Sequence, residues 1–357
     1  MISISFLNIL NTIWPILVAI LVFGLIIFIH EFGHFLFAKL FKIRVNEFAI
    51  GFGPAFLKFK RKETQYAVRV LPFGGYCAME GENEDSDDPH AFNKAKVWKR
   101  IIVVAAGAVF NLILGFILML TIVLIQGGHY TTTIRDFSSE ATSNQANGLR
   151  EGDRITSIDG RRIYTSDDIV YMLSSADIED ITVEVVRDGE KLTLEKVQFP
   201  VVESEGHTFL TRDFNLVAER NTFGSVIKQS FLKTVSMGRL AWISLIDLIS
   251  GKYGLNDVSG PVGLTQVVSD AVTTTMTNGV NGLLYLFQIL CMTTVNLGIF
   301  NLLPIPALDG SRIWFLVVEG IRGKPVKHEA VVHAVGMAIL LLFMVVIVFK
   351  DLYVWIF

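Results

Sequence analysis

Within a long apolar run near the N-terminus stand His30, Glu31, Phe32, Gly33 and His34. Two histidines four residues apart lie one helical turn apart, about 40° around the axis, so both imidazoles can reach one ion. The carboxylate beside them supplies a general base, and the pattern is that of a zinc-dependent hydrolase. Catalytic zinc takes three protein ligands and keeps one position open for water or substrate. His30 and His34 supply two ligands. Glu31 would deprotonate the attacking water and pass the proton to the leaving amine. Ionisable groups at membrane depth are expensive, so their presence in such a run marks function.

The third ligand must come from elsewhere. The best candidate is Asp309, in Asn301-Leu-Leu-Pro-Ile-Pro-Ala-Leu-Asp309-Gly310. Pro304 and Pro306 break an apolar span there, and backbone freed at that depth is tolerated where it lines a cavity or packs in protein. Read alone, Asp309-Gly310 is also a common turn at a helix end. Facing an HExxH helix, the ligand reading is preferred. Asn301 is placed to bind substrate backbone beside the site, or equally to hold a neighbouring helix by a hydrogen bond.

The elements that must position these groups are mostly apolar. A hydrophobic content of 52% and a mean hydropathy of +0.51 exceed what a soluble domain needs. Residues 15–38, 101–126, 282–303 and 332–349 are each long enough to cross about 30 Å of hydrocarbon. Residues 128–222 are polar and read as a soluble insert. No Lys or Arg precedes Lys39, whereas Lys39, Lys42, Arg44, Lys58, Lys60, Arg61, Lys62, Arg69, Lys94, Lys96, Lys99 and Arg100 follow the first span. By the positive-inside rule, residues 40–100 face the cytoplasm and the N-terminus lies outside. The first run lacks a basic leader and contains the HExxH, so it is not expected to be a cleaved signal peptide. The net charge of −3 identifies no partner; the lipid bilayer is expected as one, and nucleic acid is not. Cys77 and Cys291 form neither a disulfide framework nor a CxxC metal pattern.

Residues 42–78 alternate in the manner of strands, punctuated by Gly51, Gly53, Pro54 and Gly74-Gly75. They predict a small membrane-associated β-sheet directly after the metal helix. An exposed edge of that sheet would capture an unwound substrate by strand addition, which makes Gly51, Gly53 and Gly74 substrate-binding candidates. Residues 79–93 read as an acidic, solvated loop. Residues 223–250 are apolar but interrupted by Lys228, Gln229, Lys233, Arg239 and Asp247. They are expected on the membrane surface or against the insert rather than across the bilayer. That count matters: with four spans, Asp309 reaches the cytoplasmic side where His30 and His34 lie, and residue 256 and both termini lie outside. The resulting regions are 1–126 (first membrane region), 127–203 (insert), 204–278 (amphipathic helical region) and 279–357 (second membrane region). Of the other histidines, His90, His129 and His207 are expected on the surface and His328 and His333 beside the last span, none of them a metal ligand.

HEFGH in the first span, GFGP after it and NLLPIPALDG in a late one together resemble the site-2 protease family of intramembrane zinc metalloproteases, in particular its bacterial RseP/RasP type. The likeness covers nearly the whole chain. It implies Zn2+ held by His30, His34 and Asp309, with Glu31 as catalytic base. It also implies hydrolysis of single-span transmembrane substrates, such as anti-sigma factors or remnant signal peptides, in a bacterial cell membrane. Through NGLREGDRITSIDGRRI the insert resembles a single PDZ domain, expected outside the cytoplasm, where it binds a peptide or restricts access by bulky ectodomains. Ala108 stands where the family's second-span pattern often has Pro, while Asn111 is retained. The expected fold is a polytopic α-helical membrane protein with four transmembrane helices, a membrane-associated β-sheet and an inserted extracytoplasmic PDZ-like α+β domain.

Overall fold

The computed structural model describes residues 6–356 apart from 146, 177, 179, 205, 206, 253, 255–257 and 259, with backbone alone at 6–13, 71–73, 204, 207, 261, 276 and 354–356. Residue 256 and the extreme ends, expected on the outer side, therefore lie outside the described residues. The elements run α1 (Phe6–Leu40), β1 (Val45–Arg61), β2 (Thr64–Met79), α2 (Val97–Gln126), β3 (Gly128–Phe137), β4 (Arg154–Ile158), β5 (Arg161–Arg162), α3 (Ser166–Ser175), β6 (Val183–Arg187), β7 (Glu190–Leu194), β8 (Val201–Ser204), β9 (His207–Leu210) and β10 (Phe214–Arg220). Helices α4 (Phe223–Ile249), α5 (Pro261–Asn278), α6 (Val280–Asn301), α7 (Asp309–Arg322) and α8 (Glu329–Ile356) follow. They form two units, Met1–Leu118 with Ser244–Phe357, and Met119–Ile243.

Among the described residues of the chain, four helical stretches are long and apolar enough to cross a membrane: Trp14–Leu40, Val97–Gln126, Val280–Asn301 and Glu329–Tyr353. They overlie the four stretches expected from the sequence, and α4 is not among them. Their outward faces carry Leu21, Ile113, Ile117, Leu342 and Phe349, all exposed. In water such a surface would drive association, whereas hydrocarbon covers it at no cost.

In the first unit β1 and β2 are two long, bent strands. Gly51, Gly53 and Gly74 take φ of 84°, 85° and 88°, a left-handed conformation in which other residues are strained. The bends fold the pair back on itself, so that Ile50 pairs with Gly75 on one edge and Val68 on the other. Past the bend, Phe56, Leu57 and Phe59 are exposed on the outer hairpin. Before it, Val45, Phe48, Cys77 and Met79 join Ala38, Ile43, Val103, Val104 and Leu316 in one core. The acidic loop after β2 is not simply solvated. Asn46 and Ser86 donate to Glu80 (2.7 and 2.5 Å), and Arg44 donates to Asp88 (2.8 Å). Donors from the segment before and within β1, and one from the loop itself, hold it.

The second unit is a sheet in the order β10-β3-β4-β6-β7, with β5 beside β4. Its core contains Ile134, Ile155, Ile158, Ile169, Leu173, Val183, Val185 and Leu216. Because β10 pairs with β3, the sheet continues past residue 203, where the sequence pattern alone set the boundary of the insert. Without β10, the β3 edge would be unpaired and the core would lose Phe214 and Leu216. Helix α3 opens with a capping box between Thr165 and Asp168. The buried Asp168 also accepts from Ser236 and pairs with Arg239 of α4 at 3.1 Å. Lys233 pairs with Asp167 at 2.7 Å, and Leu240 and Ile243 pack against the core. Of the charges that interrupt the apolar run of α4, Lys233 and Arg239 thus face the insert. His129, expected at the surface, is buried, with Nδ1 3.1 Å from Asn221 Oδ1; His90 is exposed, and the His207 side chain lies outside those described.

Candidate metal centre

Helix α1 presents His30 and His34 on one face, their rings edge to face with centroids 4.9 Å apart. The third group arrives at the first residue of α7. After α6 the chain turns through Pro304 and Pro306, Ala307 adopts φ of 80°, and Leu308 is the N-cap. Gly310 is required at the next position, because a Cβ there would lie 2.1 Å from the Leu303 carbonyl oxygen. The turn delivers Asp309 with Oδ2 3.0 Å from His30 Nε2 and 3.3 Å from His34 Nε2, while the two Nε2 atoms are 3.2 Å apart. A tetrahedral zinc ion with ligands at about 2.0–2.1 Å spaces its donors about 3.3 Å apart. The observed triangle has the dimensions of one face of such a site. Two imidazole nitrogens and a carboxylate oxygen also form a donor set suited to catalytic zinc. It is the one such convergence of metal-binding side chains among the described residues.

Both histidines are buried, and the Asp309 side chain keeps about a quarter of its exposure. His34 Nδ1 lies 2.9 Å from the Val103 carbonyl oxygen. A carbonyl only accepts, so the proton sits on Nδ1 and the Nε2 lone pair points into the triangle.

Helix α2 closes on the ligand face through glycine. A Cβ on Gly33 would lie 2.5 Å from the Ala106 carbonyl oxygen, and one on Gly107 would lie 2.3 Å from His34 Nε2 and 2.8 Å from His30 Cε1. Gly107 was not singled out in the sequence; the small run Ala105-Ala106-Gly107-Ala108 was its only signal. Ala108 is fully buried inside an unbroken α2. Gly107→Ala places a methyl group against both imidazoles. It is expected to lower bound zinc at least about tenfold, as even indirect disturbance of metal ligands costs that much. Metal content per folded protein, with helicity by circular dichroism as control, checks this.

Glu31 faces the sheet. A Cβ on Gly75 would lie 3.2 Å from Glu31 Cγ and 3.0 Å from the Ala49 carbonyl oxygen, so this turn of β2 passes directly beside the carboxylate. Gly74 has no room for a side chain either, since a Cβ there would overlap the Phe52 ring at 1.9 Å. Gly51 and Gly53 form the facing bend of β1. Asn301 donates to the Leu297 carbonyl of its own helix at 3.0 Å rather than to a neighbouring helix. Two ion pairs that sequence alone does not reveal hold α7: Arg312 with Glu82, and Arg100 with Glu319. Arg312 also donates to Asn83 at 2.6 Å.

Comparison with known proteins agrees with this arrangement. The model of peptidase family M50 matches residues 18–343. A putative zinc metalloprotease of Clostridium acetobutylicum is 36% identical over 339 residues, covering 94% of this chain and 96% of that protein. One from Clostridium perfringens is 35% identical over 340 residues, covering 94% and 98%. The regulator of sigma-W protease RasP of Bacillus subtilis is 29% identical over 416 aligned residues, covering 93% and 97%. With the family match spanning nearly the whole chain and the HExxH helix meeting an aspartate three-dimensionally, this protein belongs to peptidase family M50, the site-2 protease family.

Proposed function

We propose that this protein is a zinc endopeptidase that cuts single-span transmembrane proteins within the bilayer, with His30, His34 and Asp309 as zinc ligands and Glu31 as general base. The observation that carries it is the triangle of donor atoms, 3.0–3.3 Å on a side, built on a membrane-length helix. The relatives named zinc metalloproteases support the metal, and the one named regulator of sigma-W protease supports anti-sigma factors as a substrate class, beside remnant signal peptides.

Bound zinc supplies Lewis acidity that polarises the scissile carbonyl and favours ionisation of a nearby water. The residues of the chain do the rest. Glu31 takes the proton of the attacking water on a carboxylate oxygen and returns it to the departing amide nitrogen. A substrate helix hides its carbonyls in internal hydrogen bonds and must first be unwound. The edge at Gly75–Met79 pairs with β1 on one side; adding a substrate strand to its other side would hold an extended segment beside Glu31. Gly51, Gly53 and Gly74 shape that edge, and Asn301 has a lesser claim to substrate contact. The cationic segment between the first two spans supports a bacterial plasma-membrane orientation with the centre toward the cytoplasm. The insert, with its sheet and α3, then lies outside as a PDZ-like unit that binds a peptide or screens bulky ectodomains. The full chain in proteoliposomes should cleave a tethered transmembrane substrate, stop on treatment with a strong zinc chelator and recover with added zinc. Undiminished cleavage by metal-stripped protein would refute the reading.

A further inference from the structure

We propose that Asn111 is a positioning residue of this centre: its side-chain amide accepts the His30 Nδ1 proton and so fixes the ring with Nε2 free to bind zinc. The inference rests on the three-ligand reading above. Asn111 is wholly buried in α2, and its amide lies 3.2 Å from His30 Nδ1. Its backbone carbonyl accepts from Thr294 Oγ1 of α6 at 3.2 Å, so the turn that carries it is held from the far side. Bulk solvent does not reach the amide there, and its orientation has consequences.

As placed, the amide nitrogen faces Nδ1 and Oδ1 has no partner among the described residues. Carboxamide nitrogen and oxygen have almost the same size, and the hydrogen-bond network decides between them. Turning the amide over would satisfy one of its two polar atoms just as before, so the number of bonds does not choose. His30 chooses. An amide that donates to Nδ1 needs that nitrogen bare, which puts the ring proton on Nε2, aimed at Asp309 Oδ2 3.0 Å away. That proton would occupy the metal's place. With Oδ1 toward Nδ1, the proton stays on the outer nitrogen and the Nε2 lone pair enters the triangle.

His34 shows the same arrangement independently, with Nδ1 held by the Val103 carbonyl of the same helix. Helix α2 would therefore set both tautomers, one through backbone and one through a side chain. A backbone carbonyl can only accept, so the first cannot be changed by substitution. The second can.

Asn111→Leu keeps the volume and removes the acceptor; Asn111→Asp keeps acceptors and removes the donor. With zinc affinity of the full-length protein measured by chelator competition, Asn111→Leu is expected to bind about 10–100-fold more weakly, and Asn111→Asp to stay within a few-fold of wild type. Asn111→Leu binding zinc like wild type, or folded Asn111→Asp losing as much as Asn111→Leu, would overturn the proposal. Should Asn111→Asp fail to fold, histidine 15N NMR of the zinc-loaded wild type decides instead. A proton on His30 Nδ1 is expected, and a bare Nδ1 overturns the assignment. Wild-type protein that binds no zinc would sink the three-ligand reading itself, whereas unequal fates of the Asn111 variants bear on Asn111 alone.

Discussion

Glu31→Gln is expected to lower cleavage of a tethered transmembrane substrate at least about a hundredfold, the low end of what a positioned general base contributes. Bound zinc should be unchanged. Glutamine has the size and reach of glutamate and can sit against Gly75 as the native side chain does, where a Cβ would lie 3.2 Å from Glu31 Cγ. What it lacks is an oxygen that can accept and return a proton. Neither histidine depends on Glu31 for its place, since α1 holds both and Val103 and Asn111 flank them. Activity and metal content should therefore separate cleanly. Equal cleavage by variant and wild type would remove Glu31 from the chemistry.

Asp309→Ala should remove activity and metal together. Two imidazoles remain, one ligand short of the set that catalytic zinc requires. Affinity is expected to fall by on the order of a hundredfold or more, since even groups that touch the metal only through a ligand are worth about 10–100-fold. The usual objection, that the variant simply misplaces a helix, is testable. Helix α7 is pinned by Arg312 to Glu82 and by Arg100 to Glu319, both independent of the carboxylate. Helicity and thermal stability of the detergent-solubilised variant should stay near wild type. Wild-type zinc content in Asp309→Ala would exclude the aspartate as a ligand.

The four apolar spans were legible because hydropathy over about 20 residues is a strong, local signal. His30, Glu31 and His34 were legible for the same reason: their spacing is a property of one helix. Asp309 could be nominated only by joining a broken-helix pattern to a motif far away. The long-range partners were hidden. Nothing local ties Arg312 to Glu82 or Arg239 to Asp168, and those pairs help hold the acidic loop and set α4 against the insert, one of the two places expected for it. The true extent of the insert was missed for a related reason. Strand β10 pairs with β3, far back in the chain, and no local pattern announces that pairing. Gly107 was passed over because a small apolar residue in a span usually means only close packing. Here the close neighbour is a pair of imidazoles.

His30 and Asp309 meet although 279 residues separate them in the chain. A ribosome releases the helix with both imidazoles and the base long before it makes α7. Until then the nascent chain holds two-thirds of a ligand set and no complete centre. Only after the insert and the third span have been synthesised can the aspartate close the site. If the three ligands act as proposed, the order of synthesis is a safety catch, keeping the nascent chain inert until three of its four candidate spans have been made.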